Sequence, residues 1–190
     1  MDMMKLTSWT FVDVGANHPV KGNSFYSKYL ISGFRGVNIE PNATLFKSLE
    51  VIRSKDMNIA SIITVGDEEV KPFYLNLNNK ISSTQFNPEA VKKYVKTINT
   101  RELATATKLF DLPWVLKIDI EGEDIDVLND LLANGAQPDL IVIETFQGIQ
   151  GRFLGQELLE NALSGKYVLV SMTPLNNFYA KASTWIFDRA

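Results

Sequence analysis

The run Phe11-Val12-Asp13-Val14-Gly15-Ala16-Asn17 most constrains the fold. Its apolar and β-branched positions are typical of a buried parallel strand. Gly15 accepts backbone angles that other residues avoid, so the chain can turn there and a ligand can approach the main chain. In an open α/β sheet, such a strand followed by a helix makes a nucleotide-sized crevice at its carboxyl end.

Strands and helices alternate along the rest of the chain. A strand at 36–40 is followed by a helix that Asn42 caps, and the alternation predicts right-handed crossovers and a parallel sheet. We expect a single domain over residues 1–190. Further strands are predicted at 58–64, 70–77, 114–120, 140–144, 167–172 and 184–187. Further helices are predicted at 88–94, at 101–110 after a Thr100 cap, at 124–134, and through Leu158 and Leu163.

Composition excludes several classes of site. The chain has no cysteine, which rules out disulfides, thiolate nucleophiles and zinc-thiolate sites, and its one histidine, His18, rules out sites that need two. The net charge is -3 and the basic residues do not cluster, which argues against nucleic acid as the main partner. No run resembles a signal peptide or is long enough to span a bilayer, so we expect a cytoplasmic protein.

Polar residues at the ends of the first two strands indicate an adenosine-type cofactor. Asp13, Gly15 and Asn17 lie where the first strand becomes a loop, and the main chain at Gly15 and Ala16 is expected to line a ligand. Glu40 ends the second strand, 25 residues after Gly15, where it can accept hydrogen bonds from both ribose hydroxyls. Taken singly, each feature also fits an ordinary turn or a solvated strand end.

A nicotinamide-dependent oxidoreductase is disfavoured. A dinucleotide fold uses G-x-G-x-x-G so that the pyrophosphate rests on a helix N-terminus. Here no second glycine follows Gly15 until Gly22. S-adenosylmethionine carries no phosphate, so its binding is compatible with a loop that lacks these glycines.

A second polar focus is 117–123, Lys-Ile-Asp-Ile-Glu-Gly-Glu. Alternation along the strand points Lys117, Asp119 and Glu121 the same way, toward the crevice. Glu144 ends the following strand, so Asp119, Glu121 and Glu144 are candidate ligands for a divalent cation, or partners for sugar hydroxyls. For a general base, Asp119 or Glu121 is the first choice. His18 is the second, because histidine titrates near pH 6.5.

Three blocks of the sequence carry a family resemblance. Residues 11–17, 36–41 and 116–122 resemble the signature blocks of FkbM-like S-adenosylmethionine-dependent methyltransferases. Ser82-Ser83-Thr84-Gln85-Phe86 is similar to a weaker fourth block, and 141–144 resembles the family's next strand. The resemblance extends over roughly residues 11–188.

The resemblance implies an α/β, Rossmann-like class I methyltransferase fold. That fold has a seven-stranded, mostly parallel sheet, helices on both faces and an antiparallel last strand. By position, the cofactor loop would contain Asp13, Gly15, Ala16 and Asn17, the ribose site Glu40 with its neighbour Pro41, the methyl-donor site Asp119 and the adenine site Ser61. The implied reaction is O-methylation of a small-molecule or glycan acceptor, at a sugar or polyketide-type hydroxyl.

One departure from the family keeps an alternative open. Many members carry a glycine soon after the asparagine of the first block, whereas His18-Pro19 follow Asn17 here. The alternative is a non-catalytic cofactor- or carbohydrate-binding module that retains the methyltransferase fold.

Overall fold

The computed structural model describes residues 10–23, 25–27, 30, 34–76, 82–110, 113–145 and 148–184, with backbone alone for 148–155. The strands are β1 (Thr10–Val14), β2 (Arg35–Ile39), β3 (Met57–Ile59), β4 (Ile62–Thr64), β5 (Val70–Leu75), β6 (Val91–Asn99), β7 (Trp114–Ile118), β8 (Leu140–Glu144), β9 (Tyr167–Met172) and β10 (Asn176–Lys181). The helices within these residues are α1 (Ala43–Ile52), α2 (Thr100–Thr107), α3 (Asp124–Ala133) and α4 (Gly148–Leu163).

The main sheet has seven strands in the order β3-β2-β1-β7-β8-β10-β9. Every pair from β3 to β8 is parallel, and β10 runs antiparallel to both of its neighbours. The predicted seven-stranded, mostly parallel sheet with an antiparallel last strand is therefore confirmed. This order places β1 at the centre, between β2 and β7, so that the carboxyl ends of all three strands meet at one edge.

Both faces of the sheet are covered. Val12 and Val14 point to the larger core, which also contains Leu103 of α2, Leu128 of α3 and Leu159 of α4. On the opposite face, the Phe11 ring stacks on Phe25 with centroids 4.5 Å apart, and the Arg53 guanidinium at the end of α1 lies 5.2 Å from the Phe11 centroid. The alternation along β1 thus separates an apolar face from one that mixes aromatic and charged groups.

A second, three-stranded sheet of order β4-β6-β5 corrects two predictions. The predicted strand 58–64 is two strands in different sheets, because the chain turns at Ser61, whose N–H donates to the Ile59 carbonyl. The predicted helix at 88–94 is wrong. Residues from Val91 onward form β6, which pairs antiparallel with β5 over residues 91–96, so tertiary pairing overrides a weak local preference.

Two element boundaries also differ from expectation. The N-cap of α2 is Asn99 rather than Thr100, because the Asn99 side chain and Glu102 form a capping box. Among the described residues, the last strand is Asn176–Lys181, which pairs with β8 although its asparagines are typical of a turn. The strand predicted at 184–187 is a separate segment, and its first residue, Thr184, lies in a turn. Of that predicted strand, residues 185–187 lie outside the described residues.

None of the helices in the described ranges combines the length and the apolar character that crossing a bilayer requires.

Candidate active site

A pocket that is open to solvent lies where β1, β2 and β7 end. Gly15 and Asn17 line it from the first strand, Glu40 and Pro41 from the second, and residues 119–121 from the third. Most of the predicted cofactor residues therefore surround one cavity.

The opposite wall of the pocket comes from segments that sequence reasoning did not assign to the site. Ile62 and Ile63 of β4 and Phe73 of β5 supply apolar surface, while Ser82 and Thr84 supply hydroxyls. The one prior signal for this wall was the weak resemblance of residues 82–86 to a family block. Ser61, placed at the adenine by resemblance, also lines the pocket.

Glu40 fastens the two loops that border the pocket. Its Oε2 accepts a hydrogen bond from the Asn17 N–H at 2.8 Å, and its Oε1 accepts one from the Asn42 N–H at 2.7 Å. The side chain is 5% exposed, and burial raises the pKa of Glu40 to about 7 despite these two bonds. Each carboxylate oxygen keeps a further lone pair, so Glu40 can still accept from a ligand.

The close approach of the chain just after β7 requires a glycine at position 15. Its φ is +78°, and a Cβ there would lie 1.9 Å from the carbonyl oxygen of Asp119. The N–H groups of Gly15 and Ala16 both donate to the Ile39 carbonyl, so they hold the loop against β2 instead of facing the cavity. Both amides are thus engaged with β2, while the contact of the main chain at Gly15 and Ala16 with a cofactor stays a prediction.

We expect Gly15→Ala to lower the free energy of unfolding by at least about 3 kcal/mol, because the methyl group meets backbone and cannot move aside. Gly22→Ala is the matched control, since Gly22 has φ +70° but nothing within 4 Å of its Cβ position. In Gly22→Ala the free energy of unfolding should fall only by the amount that it costs to place alanine in the left-handed region, about 1–2 kcal/mol. Urea unfolding of both variants measures the difference, and equal costs would contradict the close approach of β1 and β7.

Two residues at the pocket adopt a left-handed conformation without being glycine. Asn17 has φ 55° and Glu121 has φ 61°. Asparagine tolerates this region, but for glutamate it costs on the order of 1–3 kcal/mol, and such strain concentrates at functional sites. The turn around Glu121 is held by Asp124, which accepts the N–H groups of Ile120 and Gly122 at 2.9 and 3.0 Å.

A buried cation lies beneath the pocket. The Lys117 Nζ is 3.3 Å from Asp13 Oδ1 and 3.1 Å from Asp119 Oδ2. Burial lowers the pKa of Lys117, but the attraction of these two carboxylates outweighs burial, and the net pKa is raised. Lys117 is therefore a permanent cation, and Asp13 lies below the cavity instead of lining it.

Three carboxylates cluster where β7 and β8 end, and two of them, Asp119 and Glu121, also line the pocket. Asp119, Glu121 and Glu144 each offer an oxygen within 4.8 Å of the others, a grouping that suits a divalent cation. Burial, followed by repulsion from Asp119 and Glu121, raises the pKa of Glu144 to about 8. Burial and the charges of Asp119 and Asp124 also raise the pKa of Glu121. At neutral pH Glu144 thus holds a proton beside two other carboxylates.

The raised pKa values of Glu40 and Glu144 predict how stability depends on pH. The folded-state pKa values of Glu40 and Glu144 lie above the 4.5 of the unfolded chain, so the folded state binds more protons between about pH 5 and 8. The free energy of unfolding should therefore fall as pH rises through this window. Urea unfolding from pH 5 to 8 measures the slope, and Glu144→Gln should flatten its upper half. A slope unchanged in that variant would contradict the assignment to Glu144.

His18 organises the cofactor loop and is not among the residues that line the pocket. Its Nδ1 accepts the N–H groups of Val20 and Lys21 at 3.1 and 3.0 Å. The ring nitrogen thereby orders the turn that follows Asn17.

A family comparison accounts for this arrangement. The profile of the methyltransferase FkbM domain matches residues 13–161. The chain belongs to the FkbM methyltransferase family. Membership indicates a methyltransferase domain, and the match includes Asp13, Glu40, Asp119 and Glu144. No curated protein sequence is significantly similar to the chain.

A solved structure shares the fold of this FkbM domain. A methyltransferase FkbM from Methylobacillus flagellatus KT is 16% identical with a TM-score of 0.56, and the alignment covers 92% of this chain and 44% of that one. The chain thus spans less than half the length of that relative. A protein provisionally described as a methyltransferase, from Thermobifida fusca YX, is 10% identical with a TM-score of 0.46, over 94% of this chain and 77% of that one.

Proposed function

We propose that the protein is an S-adenosylmethionine-dependent O-methyltransferase, formed by a single domain, that acts on a hydroxyl of a sugar, glycan or polyketide-type molecule. The observation that carries the proposal is the placement of Glu40. Its buried carboxylate borders the pocket next to Gly15 and Asn17 and keeps lone pairs available. Family membership supports the reaction class, and the acceptor class follows the sequence resemblance.

The described residues fit the cofactor. Glu40 would accept the ribose hydroxyls, while Ile62, Ile63 and Phe73 would pack against the adenine, with Ser61 at its edge. Asp119 faces the same cavity and would attract a positively charged donor. When bound, S-adenosylmethionine supplies an activated methyl group. The chain itself must hold the acceptor oxygen in line with that group and remove the hydroxyl proton.

The carboxylate cluster suggests how the proton leaves. Glu121 has a raised pKa and is therefore a stronger base than an ordinary carboxylate, and Asp119 is the other candidate. Glu144 keeps its proton near neutral pH and would donate a hydrogen bond to an acceptor oxygen. A divalent cation would be held by the same three carboxylates and would lower the pKa of the acceptor hydroxyl instead. His18 uses its Nδ1 in the loop, which makes it the weaker candidate for a base.

Two measurements test the proposal. Isothermal titration calorimetry of the purified chain should show binding of S-adenosylmethionine. Incubation with methyl-labelled S-adenosylmethionine and a panel of sugars, glycans and phenolic polyketides should label an acceptor hydroxyl, with and without Mg²⁺. Binding without transfer to any acceptor would favour the non-catalytic module, and absence of binding would refute the proposal.

A further inference from the structure

A polar row crosses the sheet beneath the pocket. Lys117, Asp13, Asn38 and Asn58 stand at one register level on β7, β1, β2 and β3. The first three are buried, and Asp13 and Asn38 are fully so. Burying charges among parallel strands is costly unless each is paired, and the pairing must then be specific. The charged end of the row is the end nearest the carboxylate cluster.

Lys117 joins a carboxylate in the core to one at the pocket. The side chains of Asp13 and Lys117 are 1% and 8% exposed, whereas that of Asp119 is 35% exposed. Asp13 holds the Lys117 ammonium from the core side, so the other N–H groups of that ammonium point away from Asp13. Asp119 accepts one of them with Oδ2 and is thereby oriented.

The same inner carboxylate is tied to the cofactor loop. Asp13 Oδ2 accepts a hydrogen bond from Asn23 Nδ2 at 3.4 Å, and that amide also donates to the Ala16 carbonyl at 3.2 Å. Asn23 Oδ1 in turn accepts the Phe25 N–H at 3.0 Å. Both ends of the loop are therefore connected through Asp13 to Lys117.

We propose that Lys117 is a positioning residue that holds the Asp119 carboxylate toward the pocket and, through Asp13 and Asn23, joins it mechanically to the cofactor loop. This inference rests on the proposed function, because the pocket is taken as the cofactor site. Lys117 is buried and is not among the residues that line the pocket. It acts through Asp119, and the consequence is that cofactor binding depends on a residue below the cavity.

The test separates positioning from simple charge neutralisation. Lys117→Met leaves Asp13 and Asp119 without their cation, and we expect the melting temperature to fall by about 10 °C. The double variant Asp13→Asn/Lys117→Met carries no unpaired charge in the core, and the amide oxygen that replaces the inner carboxylate can still accept from Asn23. Its melting temperature should return to within about 3 °C of wild type. Asp119 nevertheless remains without its partner.

Two readouts on the double variant decide the matter. Its affinity for S-adenosylmethionine, measured by calorimetry, should stay at least tenfold below wild type. The amides of 119–122 should exchange with deuterium at least fivefold faster. Asp13 raises the pKa of Glu40 and Lys117 lowers it, so the two substitutions of the double variant act on Glu40 in opposite directions.

Tyr167→Phe is the control for a general loss of stability. The Tyr167 hydroxyl is buried and donates to the Pro138 carbonyl at 2.9 Å, at the opposite end of β8 from the pocket. This variant should melt at a lower temperature while keeping wild-type affinity and wild-type exchange of 119–122. Recovery of both affinity and exchange in the double variant would overturn the proposal. If wild type binds no S-adenosylmethionine, the proposed function fails, while the exchange measurement still decides the role of Lys117.

Discussion

Glu40→Gln should weaken binding of S-adenosylmethionine by at least about 100-fold. The carboxylate accepts the Asn17 and Asn42 N–H groups and would accept the two ribose hydroxyls. Glutamine has only one oxygen, so its NH₂ group must face one of these backbone donors and the loop must shift. Each hydrogen bond to a charged group contributes about 1.5–3 kcal/mol, so losing two gives an effect of this size. Calorimetry at pH 8 measures it.

Glu50→Gln is the control. Glu50 is exposed on α1, so this substitution removes the same charge at a position away from the pocket. It should bind as wild type does. Wild-type affinity should also rise with pH up to about 7, since Glu40 must lose its proton to act as a full acceptor. One linked proton gives at most about a tenfold change per pH unit. A pH-independent affinity in wild type, or unaltered affinity in Glu40→Gln, would contradict the ribose assignment.

Asp119→Asn should reduce methyl transfer by about 1,000-fold or more while leaving the fold intact. If Asp119 is the base, the variant loses it. If Glu121 is the base, the variant loses the neighbouring charge that helps raise the pKa of Glu121, so that base is weakened. A positioned general base contributes about 10²–10⁴-fold, and loss of the attraction for the positively charged donor adds to this. The rate of transfer to the acceptor found in the screen measures the effect.

The fold of Asp119→Asn should survive because Lys117 keeps its pairing with Asp13. Its melting temperature should stay within about 3 °C of wild type. The control is Asp126→Asn, an exposed position on α3, which should transfer methyl groups at the wild-type rate. Full activity in Asp119→Asn would remove Asp119 from the mechanism, and Glu121→Gln would then be the variant to examine.

Local patterns in the sequence were sufficient to predict the buried strands that end at polar residues. The run at 11–14, the strand ending at Glu40 and the strand ending near Asp119 are all apolar segments that stop at polar residues. The carboxyl ends of parallel strands lie at the same edge of a sheet. The ends of these three segments therefore predicted one edge lined by Gly15, Glu40 and Asp119. The pocket lies at that edge.

Features that depend on pairing between distant segments were not accessible in this way. Residues 91–94 have a weak local preference, and their strand exists because β5 offers a partner. Phe73 lines the pocket because that small sheet is positioned beside it, and no periodicity near Phe73 indicates a ligand wall. The need for glycine at position 15 has a similar origin, since the obstructing atom belongs to Asp119.

The amino-acid pattern alone specified the central strands β1, β2, β7 and β8 of the main sheet and the acidic residues that follow or end β2, β7 and β8, because burial and alternation are local properties of the chain. Only the folded arrangement showed that Asp13 pairs with Lys117, because the register of β1 against β7 sets these two residues side by side. The ends of the strands already predicted that Asp119, Glu121 and Glu144 lie together, and the fold adds the burial that raises the pKa of Glu144. Charge pairing and the pKa values that follow from it are properties of distance and burial, and these arise only when separate strands pack together.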